Sequence, residues 1–183
     1  MAELNEQIIP NKIVFNFNKL QEEFTMIKLP LNTDLSGKVA VVTGAGGVLC
    51  GMFAEALAQA GAKVAVLDLN EEAAQKVADE IVANGGVAKA YKTNVLEKDS
   101  LIATHEAVLA DLGTCDILIN GAGGNNPRAT TDKEYFEHGD IDADTISFFD
   151  LDPSGVEFVF NLNFIGTLLP TQIFAQDMVD KEG

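Results

Sequence analysis

Positive charge is scarce in this chain. Its 183 residues hold 12 Lys and Arg against 28 Asp and Glu, a formal net charge of -16, and the single arginine is Arg128. Such a chain repels the phosphates of nucleic acid and of anionic membrane surfaces, which argues against both as partners. No apolar run approaches the roughly 18 residues of a membrane span. The start, Met1-Ala2-Glu3-Leu4-Asn5-Glu6, has neither the basic nor the apolar region of a signal peptide. Cys50 and Cys115 are isolated and form no CxxC. Two lone thiols fit a reducing compartment, so the expectation is a cytoplasmic protein. His105 and His138 lack ligand-spaced partners, and no metal site is expected. Apolar residues make up 47% of the chain, ordinary for one globular domain with its own core.

Glycine, by contrast, is concentrated where it has chemical meaning. Thr43-Gly44-Ala45-Gly46-Gly47-Val48-Leu49-Cys50-Gly51 follows the apolar run Val39-Ala40-Val41-Val42 and opens a helix-like run at residues 52–60. A strand, a Gly-rich turn and a helix in that order suit a dinucleotide. The glycines let the backbone approach a pyrophosphate, and the first N–H groups of the helix face its charge. A second buried strand, Val64-Ala65-Val66-Leu67, ends at Asp68 and Leu69. An acid there can hydrogen-bond an adenosine ribose and repel a 2′-phosphate, which favours NAD over NADP.

The remainder alternates strand and helix. Residues 38–43, 63–68, 87–93 and 116–120 read as strands, and residues 47–60, 71–84 and 98–112 as helices. Gly61, Gly85-Gly86 and Gly113 stop the helices, and Asn70 caps the second. Ala74, Val77, Ala78, Ile81 and Val82 form the expected inner face of that helix. Leu101, Ile102, His105, Val108 and Leu109 form that of the third. The expected architecture is α/β: a Rossmann-like, doubly wound parallel sheet with helices on both faces. Residues 1–36 read as an N-terminal arm and residues 37–183 as the NAD-binding domain.

Residues 121–152 break the rhythm. This long polar stretch lies where ligands sit in such sheets, at the carboxyl ends of the strands, and reads either as a substrate loop or as a solvated insertion. Asp152-Pro153 then starts a last helix, with a bend expected at Pro170. Its apolar surface is too wide for one sheet, so part should face another subunit or another part of the fold.

Together these segments resemble the short-chain dehydrogenase/reductase family over residues 37–183. The phosphate loop corresponds to Thr43, Gly44, Gly46, Gly47, Val48 and Leu49. The position after the third strand corresponds to Asn94 and Val95. The family's Asn-Asn-Ala-Gly segment looks like Asn120, Gly121, Ala122 and Gly123, and the asparagine of its catalytic tetrad matches Asn163 in Asn163-Phe164-Ile165-Gly166. Asn-Gly-Ala-Gly-Gly-Asn-Asn-Pro and Phe-Phe-Asp-Leu-Asp-Pro narrow the resemblance to the D-mannonate oxidoreductase (fructuronate reductase) branch. The resemblance implies hydride transfer between NAD(H) and a small anionic sugar acid, D-fructuronate and D-mannonate foremost. It also implies a homo-oligomer, dimer or tetramer, built on the last helices. Arg128 could then hold the substrate carboxylate, with Asn125 and Asn126 beside it. An exposed loop cation is the equal alternative for Arg128.

Two departures stand out. Cys50 occupies a position where the family loop has glycine. The family's proton donor, a Tyr with a Lys four residues on, is also missing: Val95 follows Tyr91 at that spacing and Gly139 follows Tyr135. The sequence stops before the strand that would carry the family's Ser. The fold is therefore expected to be C-terminally incomplete, with the fourth strand as an open apolar edge. Two alternatives stay open: a non-catalytic chain that binds NAD or co-assembles with longer subunits, and a reductase of another sugar acid such as gluconate.

Overall fold

The computed structural model describes residues 33–142 and 144–179. Most of the expected arm, residues 1–32, lies outside the described residues. At the arm's last part the chain packs on the domain. The Leu35 N–H donates to the Ala60 carbonyl at 2.7 Å, and Leu35 packs on the core.

Four strands alternate with helices: β1 (Val39–Thr43), α1 (Val48–Gln59), β2 (Lys63–Asp68), α2 (Glu71–Ala83), β3 (Val87–Lys92), α3 (Lys98–Asp111) and β4 (Ile117–Asn120). All the pairings are parallel and the strand order is β3-β2-β1-β4. Side chains alternate across the sheet, so neighbours on one strand feed opposite layers. Ala40, Val42, Val64 and Val66 meet Ala54 and Ala58 of α1 and Ala74, Ala78 and Ile81 of α2. Val39, Val41, Ala65 and Leu67 meet Leu101 and Val108 of α3, with Ile173 and Phe174 of a later helix. Burial on both faces explains why these strands are continuous apolar runs. Asp116 locks β4 to β1 at their start: its carboxylate accepts from the Val39 N–H at 2.9 Å and pairs with Lys38 at 3.5 Å.

Two expected helix faces need correction. Val82 is exposed, as are Ile102 and Leu109, whereas Thr104 is buried. The inner stripe of α3 is Leu101, Thr104 and Val108, spaced by three and four residues; Ile102 and Leu109 each lie one step round the helix. A hydroxyl is tolerated inside because Thr104 pairs with the Thr93 hydroxyl at 3.0 Å. His105 packs edge-on against Phe174, with ring centroids 5.3 Å apart, and its Nε2 meets the Asp177 carboxylate.

The last helix is not one rod. It runs as α4 (Pro153–Phe160), a π-helical turn at Asn161–Ile165, α5 (Gly166–Phe174) and α6 (Gln176–Val179). Asp152 caps α4 through the Ser154 N–H, with Pro153 in the first turn. The irregularity falls at the π turn, ahead of Pro170, which is buried within α5. The turn's Gly166 N–H reaches back five residues to the Asn161 carbonyl. Asn163 lies within this turn and meets residues 123 and 124.

Candidate functional site

The carboxyl ends of the strands open into a cleft of about 750 Å³. That is within the ordinary range for small-molecule sites. Gly44, Gly46, Gly47, Val48 and Leu49 line one side, and Gly121, Ala122 and Gly123 another. Asp68, Leu69, Asn94 and Val95 line the far end.

The glycines are dictated by geometry. Gly44 has φ +68°, and a Cβ there would sit 2.9 Å from the Ala122 N and Cα and the Gly121 carbonyl oxygen. A Cβ at Gly46 would meet the Ala73 Cβ at 2.8 Å and an Asp68 carboxylate oxygen at 3.0 Å. Gly47 then starts α1 in extended conformation without any side-chain cap, and the first turn of α1 holds no acid. By contrast α2 and α4 begin on the capping side chains of Asn70 and Asp152. The helix α3 lacks a side-chain cap but has Asp99 in its first turn. The start of α1 thus leaves N–H donors and the positive end of a dipole turned to the cleft, a ready place for an anion.

Asp68 is fixed from both sides. One oxygen accepts the Gly46 N–H at 2.9 Å and the other accepts the Asn70 N–H at 2.8 Å. Asn94 shapes the next turn: its side chain accepts the Leu96 N–H at 3.1 Å, and its own N–H donates to the Ser100 hydroxyl. Val95 is buried, against the position of Gly166.

The buried Thr43 ties β1 to the end of β4. Its hydroxyl oxygen accepts both the Gly121 and the Ala122 N–H at 3.1 Å. The Asn120 amide donates to the Thr171 hydroxyl at 2.9 Å, while its oxygen is buried with no partner among the described residues. Asn163 clamps the chain beyond. Its oxygen accepts the Gly124 N–H at 3.2 Å, and its amide donates to the Gly124 and Val159 carbonyls, each at 2.8 Å. Asn163 is therefore held by backbone on both sides and fixes the loop after β4.

Asn125, Asn126 and Arg128 do not line this cleft. The Asn126 side chain caps a short turn at Pro127–Ala129. Arg128 reaches Asp152 at 3.4 Å, with both side chains largely exposed. The Arg128 carbonyl accepts the Asp152 N–H at 2.9 Å, which closes the neck of the 121–152 segment. Within that segment the buried Asp140 accepts from Lys133 at 2.7 Å and from the Glu137 N–H at 2.8 Å. Those bonds, with the Lys133 ammonium first, hold its carboxyl below the usual aspartate range.

Neither tyrosine is placed as a proton donor. The Tyr91 hydroxyl donates to Asp111 at 3.0 Å, away from the cleft, and burial together with that carboxylate pushes its pKa upward. Tyr135 sits exposed in the 121–152 segment. Sequence reasoning passed over Ala73, Thr93, Phe158 and Leu162 of the cleft wall. Phe158 and Leu162 stand four residues apart on the last helix, a helical spacing that could have exposed them.

The strand order, the uncapped Gly-rich turn and the acid at the end of β2 define a Rossmann-like nucleotide-binding fold. The chain belongs to the short-chain dehydrogenase family, whose model matches residues 38–183. An uncharacterized oxidoreductase of Haemophilus influenzae is 58% identical over 161 residues, 88% of this chain and 56% of the relative. The uncharacterized oxidoreductase UxuB of Bacillus subtilis is 44% identical over 151 residues, 82% of this chain and 53% of the relative. The chain thus spans about half the length of these curated relatives. A crystal structure of a candidate D-mannonate oxidoreductase from Haemophilus influenza, with bound NAD, is 58% identical. It superposes with a TM-score of 0.79 over 82% of this chain and 54% of that one. No helix among the described residues is long and apolar enough to cross a membrane, and no cluster there could hold a metal ion.

Proposed function

We propose that this chain is the cofactor-binding half of a cytoplasmic, NAD-dependent oxidoreductase acting on a sugar acid. The observation that carries the reading is the pairing of an uncapped, glycine-lined start of α1 with Asp68 bound to the Gly46 N–H at 2.9 Å. The residues fit a dinucleotide. Thr43, Gly44, Gly46, Gly47, Val48 and Leu49 hold the pyrophosphate. Asp68 and Leu69 hold the adenosine ribose, with Asn94 and Val95 beside the adenine. Asn120, Gly121, Ala122 and Gly123 lie along the route to the nicotinamide. When bound, NAD supplies the hydride chemistry. The chain's own residues bind it, exclude the 2′-phosphate of NADP, and through Asn163 fix the loop where substrate enters.

The Haemophilus structure, described as a candidate D-mannonate oxidoreductase, supports a small sugar acid as substrate, D-fructuronate or D-mannonate foremost, with another sugar acid such as gluconate as the variant. Arg128 could exchange its Asp152 partner for the substrate carboxylate, flanked by Asn125 and Asn126. The sequence holds no Tyr-x-x-x-Lys, so this chain alone should bind NAD without turning over substrate. Phe160 and Phe164 are exposed on the last helix, which supports assembly into a dimer or tetramer through that face.

Calorimetric titration of the chain with NAD and NADP tests the cofactor reading. Saturable NAD binding, with NADP weaker, is the expected result. Equal affinity for both would refute the role of Asp68, and no binding would defeat the reading. Turnover of fructuronate with NADH by the pure chain would overturn the inactive-alone prediction.

A further inference from the structure

Cys50 is the third residue of α1, buried, and turned beneath the end of β4. A Cβ built at Gly121 would overlap the Cys50 Sγ and lie 2.9 Å from the Thr43 carbonyl oxygen. The thiol thus fills the volume that a side chain at residue 121 would need. Gly121 and Ala122 rest in turn against Gly44, whose own absent Cβ would be 2.9 Å from their backbone. The same two residues are tied to β1 through the Thr43 hydroxyl. Thiol, strand-end backbone and Gly-rich turn therefore form one contiguous stack along the cleft. In so close-packed a stack, a change of one or two carbons must be taken up by the backbone above it.

We propose that Cys50 is a positioning residue for the dinucleotide: its side-chain volume, matched to the missing side chain at Gly121, sets the distance between the Gly-rich turn and the end of β4. This rests on the cofactor reading above. Burial, with the nearby Asp68 charge, raises the thiol's pKa, so the group is a neutral packing body and not a nucleophile. The stack meets the turn at Gly44, whereas Asp68 meets it at Gly46. AMP, which brings the adenosine and one phosphate to the turn but does not cross to the end of β4, should sense it weakly; NAD, which crosses to residues 121–123, should sense it fully.

The test measures NAD and AMP affinity by calorimetry for the unaltered chain, Cys50→Ser and Cys50→Val, alongside a melting cycle of Cys50→Ala, Gly121→Ala and the double variant. The near-isosteric Cys50→Ser should keep NAD affinity within about twofold. Cys50→Val should weaken NAD by about tenfold while AMP changes by less than about threefold, as overpacking local to the Gly44 side of the turn requires. Gly121→Ala should lower the melting temperature, and adding Cys50→Ala should restore part of the loss. The recovery is partial because the Thr43 carbonyl remains 2.9 Å away. Equal losses of NAD and AMP in Cys50→Val would overturn the positioning role as general damage. A Gly121→Ala cost that is the same with Cys or Ala at residue 50 would overturn the matched packing. Failure of the unaltered chain to bind NAD would defeat the functional reading and the positioning role together. The melting cycle would still decide the packing, so the two failures remain distinguishable.

Discussion

Two loops leave the same edge of the sheet and are held in opposite ways. The turn between β1 and α1 is fixed by absent side chains: Gly44 and Gly46 sit where a Cβ would strike backbone or a neighbour, and no cap fills the start of α1. The 121–152 segment is fixed by side chains. Asn126 and Ser147 cap its short turns, Asp150 closes a capping box with Ser147, Asp140 gathers Lys133 and the Glu137 N–H, and Asp152 at its end caps α4. This segment spends most of its side-chain donors and acceptors on its own turns, with the exposed Arg128 held only by a 3.4 Å pair to Asp152. The β1–α1 turn ties its Ala45, Gly46 and Gly47 N–H groups to Leu67, Asp68 and Gly44, and it leaves uncapped the start of α1 that follows.

The strongest way to break this contrast is to add volume to the first turn. Gly44→Val meets both a φ of +68° and backbone 2.9 Å away, and should cost about 3 kcal/mol or more with loss of NAD binding. Thermal melting and calorimetry would measure both. Asp68→Ala comes next. It removes two backbone N–H bonds to a carboxylate, each worth about 1.5–3 kcal/mol, so NAD affinity should fall and the rejection of NADP should relax. An unchanged NAD-to-NADP ratio would refute the assignment.

Acid should then separate the two regions. Asp140, Asp150 and Asp152 are all held below the ordinary value of 3.8 in the folded chain: Asp140 first by Lys133, Asp150 by Ser147, and Asp152 by Ser154. Because their folded values are depressed, their contribution is fully present above 3.8 and is lost as pH falls through the folded values. Limited proteolysis at descending pH should therefore cut within residues 127–152 while the far-ultraviolet circular dichroism of the sheet persists. Simultaneous loss of both signals would erase the contrast. The smallest effect belongs to Arg128→Ala. Its pair with Asp152 is exposed and 3.4 Å long, so the melting temperature should move by no more than about 0.5 kcal/mol of stability implies. A large destabilisation would make Arg128 a structural strut and not a free cation.

Most of the fold was legible because its signals are local. Apolar runs, glycine stops and the Asn70 and Asp152 caps each act within a few residues, and β1 to β4 fall where that punctuation puts them. Asp68 was legible for the same reason, at the end of an apolar strand. What escaped the sequence depends on contacts between distant segments. Nothing near Thr104 announces a buried hydroxyl partner at Thr93, and nothing near Ile102 says that the helix turns it outward. The π turn at Asn161–Ile165 is another case. Pro170 drew the expected bend because its effect is local, whereas the bonds between Asn163 and Gly124 span 39 residues. Cys50 looked like a misfit within its own loop and finds its reason only against Gly121.

The strand order carries a consequence for how the chain is made. β1 is synthesised first yet lies between β2 and β4, and its tie to Asp116 spans 77 residues. At roughly 5–20 residues per second of translation, one flank of the strand that leads into the Gly-rich turn waits several seconds for its neighbour. During that interval Gly44 has nothing to rest on, since Gly121 and Ala122 are not yet made. The newborn turn has its glycines but not its floor, and competence to grip a dinucleotide should arrive only as β4 does.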